Sequence, residues 1–260
     1  MLTGELRRKL ALYLRAAAAT RSANFPGLPF LPKSRDSASC RGGYNTFLLW
    51  MKQLGLADVR RIFDVGANHG DFASAAAAYY PGAQIWLFEP LPVLWPRLER
   101  LAQQHNPHWS VERFALGGRR GQLPLWVDEA DDAIGSFLGF SGDYQRGHSL
   151  TTPGKAIETR VERLDEFCAE TKISSIDLVK VDVEGFEFDV MTGAGEMLSR
   201  ITAVIVEVSL IRRPADTDDP LEHMIGLLRR AGFHLVDLIP SLFSKEEPWK
   251  PLEYNLLARR

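Results

Sequence analysis

The chain has 260 residues, 45% apolar and 25% charged. That is enough to fill one substantial core, while no stretch reaches the roughly 18 consecutive apolar residues of a simple membrane-spanning helix. The formal charge of -2 is unevenly spread, with 11 Lys/Arg against 3 Asp/Glu through Arg61 and 20 against 30 thereafter. Without a basic repeat or an aromatic ribbon this argues against a nucleic-acid partner. Two cysteines, Cys40 and Cys168, exclude a disulfide framework and a CxxC metal site and fit a reducing, cytoplasmic setting.

Leu6, Leu10 and Leu14 recur every four residues, which predicts an amphipathic helix; Arg7, Arg8, Lys9 and Arg15 beside it would suit peripheral contact with a membrane, although packing on the domain explains the stripe as well. Pro26, Pro29 and Pro32 then break helical continuity and leave a connector to about Gly43, followed by a helix over Thr46–Leu54. Residues 1–57 read as an N-terminal helical and connector region, residues 58–260 as the α/β domain. Strands are expected at Arg61–Val65, Gln84–Phe88 and Val111–Leu116, with helices over Phe72–Tyr79 and Val93–Gln104 between them. Asp128–Leu150 reads as a loop over the pocket and Val161–Cys168 as a helix. Further strands are expected at Ile176–Val181 and Ile201–Val208, then a helix over Leu221–Ala231 and an antiparallel pair, Phe233–Leu238 and Tyr254–Ala258. Strand, turn and helix alternate as in successive βα units, so the fold class is α/β with a mostly parallel sheet, and the pocket belongs beyond the strand ends.

The first such end is Asp64-Val65-Gly66-Ala67-Asn68-His69-Gly70. Gly66 and Gly70 permit a tight turn and a close ligand approach, and Asp64 can accept from a ligand ammonium or orient backbone donors. Asn68 stands where a dinucleotide fingerprint needs its second glycine, and no GKS or GKT ending makes a phosphate loop. Glu89, 25 positions after Asp64 at the next strand end, suits a ribose diol. A nucleoside cofactor follows from the pair.

The second constellation is Lys180-Val181-Asp182-Val183-Glu184-Gly185. Strand alternation would project Lys180, Asp182 and Glu184 to one side. A buried Lys180 needs a partner, for which Asp182 or Glu207 is suited. Asp182, Glu184 and Glu207 would also suit a divalent cation such as Mg²⁺, although no residue is assigned to a metal. Trp126, Phe137, Phe140 and Tyr144 are candidates for lining an acceptor pocket, and Trp249 for its rim. His69 reads as a hydrogen-bonding and packing residue of the turn.

IFDVGANHGDF, IWLFEP and IDLVKVDVEGFEFDVMTGAGEML, together with ERFALGG, RVERLDEF and ITAVIVEVS, resemble the FkbM family of S-adenosylmethionine-dependent methyltransferases over roughly Asp58 to Arg260. The resemblance implies a class I, Rossmann-like methyltransferase sheet with a final antiparallel hairpin, S-adenosyl-L-methionine as cofactor, and O-methylation of a small-molecule or glycan hydroxyl. It places the methionyl portion at Asp64 and the turn Gly66, Ala67, Asn68, Gly70. It places the ribose at Glu89, packing at Phe88 and Pro90, adenine by Ala115 and Leu116, and the cofactor edge at Asp182. Removal of the hydroxyl proton falls to Glu184 or Asp182, with Lys180 tuning charge and Glu207 compensating it or orienting the acceptor. Two other readings are a metal-assisted O-methyltransferase and a nonenzymatic cofactor-binding scaffold in a membrane-associated pathway.

Overall fold

The computed structural model describes residues 38–104, 108–128, 135–138, 154–211, 219–244 and 246–260. The expected helix around Leu6–Leu14 and the aromatic residues Phe140 and Tyr144 lie outside them, as does most of the expected Asp128–Leu150 loop. Among the described residues no helix is long and apolar enough to cross a membrane.

After helix α1 (Ala38–Leu54), strand β1 (Arg61–Val65) leads into α2 (Asp71–Tyr79). β2 (Gln84–Phe88), a 3-10 turn and α3 (Trp95–Gln104) follow, then β3 (Trp109–Glu112). A smaller sheet comes next, formed by β4 (Ala115–Leu116), β5 (Gly121–Val127), β6 (Gly135–Ser136) and β7 (Lys155–Glu162). The chain returns through α4 (Leu164–Thr171), β8 (Ile176–Val181), α5 (Glu187–Gly193), β9 (Ile201–Ser209), α6 (Pro220–Arg230), β10 (His234–Phe243) and β11 (Pro251–Arg259). The main sheet runs β10-β11-β9-β8-β1-β2-β3, parallel except where β11 lies antiparallel to both its neighbours. This is the mostly parallel α/β sheet with an antiparallel C-terminal strand expected from the sequence.

Alternation along the strands splits the core into two faces. Ile62, Ile85, Leu87, Leu178, Ala203 and Ile205 meet Trp50, Met51, Leu54 and the alanines of α2 on one side. Phe63, Val65, Val179, Val181, Val204 and Val206 meet Leu164, Phe167, Val190 and Leu228 on the other. The small Ala73, Ala75 and Ala76, all fully buried, let α2 lie close to the sheet. The strand order reverses between β1 and β8, and such a switch point opens a crevice at the strand carboxyl ends.

Two expectations are corrected. The strand expected at Val111–Leu116 is broken: β3 pairs with β2 and ends at Glu112, whereas Ala115 and Leu116 pair with β7 in the other sheet. Phe114 causes the change of partner, dropping into an aromatic cluster with Phe88 and Phe167. The helix expected over Val161–Cys168 begins only at Leu164, because Val161 and Glu162 finish β7. The pairing of β5 with β7 escapes sequence reading: Pro124 sits inside β5, and the partner strand begins beyond a long intervening segment.

The C-terminal part of α1 is integral to the first core face, with Met51 and Leu54 fully buried. Met51→Ala is expected to lower unfolding free energy by about 2–4 kcal/mol through the cavity it leaves, as read by urea denaturation with an unchanged slope; a loss below about 0.5 kcal/mol would show α1 to be dispensable.

Candidate active site

The switch point is built around one buried cation. Asp64 of β1 lies directly opposite Lys180 of β8 in the parallel register. Lys180, 6% exposed, holds its Nζ 3.4 Å from Asp64 Oδ1 and 3.3 Å from Asp182 Oδ2, and donates to the Gly66 carbonyl at 2.7 Å. Burial alone would favour the neutral amine, but Asp182 and Asp64 outweigh it and hold Lys180 well above the ordinary lysine range. Of the two expected partners Asp182 is present. The second is Asp64 rather than Glu207, which lies at greater range.

Asp64 is fully buried, and neither carboxylate oxygen finds a hydrogen bond of normal geometry among the described residues. Burial raises its pKa to about 6 against the pull of Lys180. It forms the floor beneath the turn rather than part of the cleft wall. Gly66, at φ +75°, cannot be replaced: a Cβ there would stand 1.9 Å from the Asp182 carbonyl oxygen. Asn68, at φ +47°, adopts the left-handed region that asparagine tolerates, and its N–H donates to Glu89 Oε2 at 2.8 Å.

Glu89 directly follows β2 and is 4% exposed. Its other oxygen accepts from the Leu91 N–H at 2.9 Å, and Trp95 Nε1 donates to its carbonyl at 2.8 Å, so the carboxylate is fixed. Burial pushes it up to about 7, although both amides favour its charged form. Each carboxylate oxygen has a second acceptor direction, as a ribose diol requires.

A cleft of about 660 Å³, counting the part open to solvent, lies beyond these strand ends. Of the expected cofactor residues, Gly66, Asn68, Phe88 and Glu89 line it, as do Pro90, Ala115, Leu116 and Asp182. Asp64, Ala67 and Gly70 stand behind its wall; Gly70, at φ +80°, packs so tightly that a Cβ would lie 2.8 Å from Leu101. Sequence reading missed Leu91, Leu125 and Gly135, which close the apolar side. No sequence signal marks them, since two belong to the small sheet. Phe137, expected on the acceptor side, lines the cleft too. His69 is exposed, and its main-chain carbonyl accepts from Arg97 Nε at 2.7 Å.

Glu184 also lines the cleft, but not by the expected route. β8 ends at Val181, and Glu184 takes φ +59°, so a turn rather than strand alternation brings it in. Its carboxylate gathers with those of Glu207 and Glu253, the three offering oxygens within 4.8 Å of one another. Glu253, which no sequence signal flags, replaces Asp182 in this cluster because β11 returns antiparallel beside β9. Burial, then neighbouring carboxylates, raises Glu184 and Glu207 well above the usual carboxylate range. Lys180 and Glu207 stand beside the cleft rather than on its lining.

The raised acids have a thermodynamic consequence. The folded chain keeps protons on Asp64, Glu89 and Glu187 up to pKa values of about 6, 7 and 7, whereas the unfolded chain releases them near the ordinary 3.8–4.5. Their contribution is therefore fully present below about pH 4 and lost as pH rises through about 7, by up to about 3 kcal/mol for Glu89. Denaturation of the ligand-free protein between pH 5 and 8 is expected to show stability falling with pH, and Glu89→Gln to flatten that fall; an unchanged slope in Glu89→Gln would contradict a raised Glu89.

A buried carboxylate with acceptor directions to spare, a glycine turn without room for a side chain, and an apolar wall at Leu116 and Leu125 fit S-adenosylmethionine. Residues 64–235 match the methyltransferase FkbM domain. The chain is 32% identical over 206 residues to the 31-O-demethyl-FK506 methyltransferase FkbM of Streptomyces tacrolimicus, covering 72% of this chain and 77% of that protein. It is 30% identical over 188 residues to the 2-O-methyltransferase NoeI of Sinorhizobium fredii, covering 69% and 74%. A fibrillarin/Nop5p complex structure shares the fold at TM-score 0.50 and 13% identity, over 92% of this chain and 91% of that one. A catalytic domain spanning the whole switch point, rather than a nonenzymatic scaffold, accounts for these matches: the chain belongs to the FkbM family and is an S-adenosylmethionine-dependent methyltransferase.

Proposed function

We propose that this methyltransferase acts on an aliphatic hydroxyl of a carbohydrate, glycoconjugate or secondary metabolite, and that Glu184 takes the hydroxyl proton. The observation that carries the reading is the position of Glu184 in the cofactor cleft, with Glu207 and Glu253 gathered behind it. When bound, S-adenosylmethionine supplies an electrophilic methyl on a positive sulfonium. Asp182 and the Gly66 turn fix the cofactor edge, Glu89 holds the ribose, and the acceptor oxygen approaches from the Glu184 side.

An aliphatic hydroxyl is a poor nucleophile until its proton begins to leave, so a carboxylate held above its ordinary pKa suits the task. Glu253, gathered behind Glu184 with Glu207 and off the cleft lining, adds to that rise. Trp126, 40% exposed, is the cross-strand partner of Ser136, whose hydroxyl reaches the Glu184 carbonyl. Its neighbour Leu125 lines the cleft, so strand alternation turns the indole to the other face of β5, and Trp126, expected in the acceptor pocket, is not among the lining residues. Both curated relatives carry O-methylation in their names, which supports an oxygen acceptor.

Labelled S-adenosylmethionine incubated with the enzyme and a metabolite extract, followed by identification of the labelled product, names the acceptor. On that acceptor, Glu184→Gln is expected to lower kcat by about 10²-fold or more while cofactor Kd changes less than about threefold; wild-type turnover would remove Glu184 as base. The Glu184, Glu207 and Glu253 oxygens also favour a second reading, a divalent cation assisting the acceptor. Activity lost on chelation and restored by Mg²⁺ would select it.

A further inference from the structure

Glu184 pays a conformational cost that glutamate rarely bears. It and Gly185 are consecutive left-handed residues, at φ +59° and +101°, which swing the chain away from the end of β8. A non-glycine residue adopts this conformation at a cost and keeps it only where the surroundings over-determine it. Two side chains from opposite directions do so here.

Glu187 is buried, and its single oxygen Oε1 accepts from both the Val183 and the Gly185 N–H, each at 3.0 Å. An acidic residue opening a helix ordinarily serves that helix's own amides; Glu187 takes in addition these two, which precede α5 and bracket Glu184. Ser136 arrives from the other sheet. It is fully buried, donates its hydroxyl to the Glu184 carbonyl at 2.7 Å, and accepts from the Leu138 N–H at 3.2 Å. Phe137 rests on Phe186 beside it, with ring centroids 4.7 Å apart. The amides flanking Glu184 and its own carbonyl are thus all tied down, and the side chain is aimed at the cleft.

We infer that Glu187 and Ser136 are positioning residues that hold the Glu184 turn, so that the small sheet and α5 together set where the acceptor meets the base. The inference rests on Glu184 as base for its kinetic consequence, though not for its structural one. Because Oε1 acts only as an acceptor, a glutamine can replace Glu187, whereas an alanine cannot.

Crystal structures, amide hydrogen exchange and methyl-transfer kinetics on Glu187→Ala, Glu187→Gln and Ser136→Ala test it, with S-adenosylmethionine affinity measured alongside. In Glu187→Ala, Glu184 is expected to leave positive φ, and the Val183 and Gly185 amides to exchange at least about tenfold faster. On the acceptor identified by labelling, kcat is expected to fall about 10- to 100-fold with cofactor Kd changed less than about threefold. Glu187→Gln should restore the turn and most of the rate. Ser136→Ala should loosen the same turn with a smaller loss, and serves as the test from the other sheet if Glu187→Ala does not fold. A folded Glu187→Ala or Ser136→Ala with Glu184 unmoved and its amides still protected overturns the inference, as does a Glu187→Gln that behaves like the alanine. If the turn moves but Glu184→Gln turns over normally, the base assignment fails and the positioning role stands.

Discussion

The site depends on the burial of one ammonium group. Lys180 stands where the strand order reverses, and an unpaired charge there would cost several kcal/mol, so Asp64 and Asp182 must face it. Those pairings join β1 to the segment leaving β8. The third contact, to the Gly66 carbonyl, fixes the turn that opens the cleft. One cation therefore ties together the two central strands, the glycine turn and the segment that leaves β8. Its neutralisation also explains why Asp64 tolerates complete burial without conventional hydrogen bonds.

Around this fixed centre the chain concentrates carboxyl groups whose burial favours their protonated forms: Glu89 at the β2 end, Glu184 and Glu207 at the β8–β9 end, and Glu187 between the two main-chain amides that flank Glu184. Such a grouping opposes folding at neutral pH, and functional sites are where chains retain it. The two ends are built differently. Glu89 is held by one amide just past β2 and one from the turn after β1, whereas Glu184 is held by a side chain from the other sheet and by the first residue of the following helix.

What the sequence reveals follows the range of the interactions. β1, β2 and β8 have the bounds expected from their apolar runs, because buried parallel strands are written locally. The glycine turn and Glu89 are legible for the same reason. Interactions between distant segments are not: the small sheet joins β5 to β7 across an intervening stretch, and Glu253 reaches Glu184 and Glu207 only through the antiparallel return of β11. Reading Lys180, Asp182 and Glu184 as one alternating face reaches the right crevice by the wrong geometry, since a strained turn intervenes after Val181. Asp64 as the partner of Lys180 likewise depends on strand register, which sequence spacing does not express.

The most direct measurement is calorimetric titration of S-adenosylhomocysteine into Lys180→Met and into the Asp64→Asn/Lys180→Met double variant, with stability followed in parallel. If the buried ammonium organises the cleft, Lys180→Met is destabilised by about 3–5 kcal/mol and binds at least about tenfold more weakly. The double variant then regains stability without regaining affinity, because the Gly66 carbonyl still lacks its donor. Parental affinity in Lys180→Met would contradict the account.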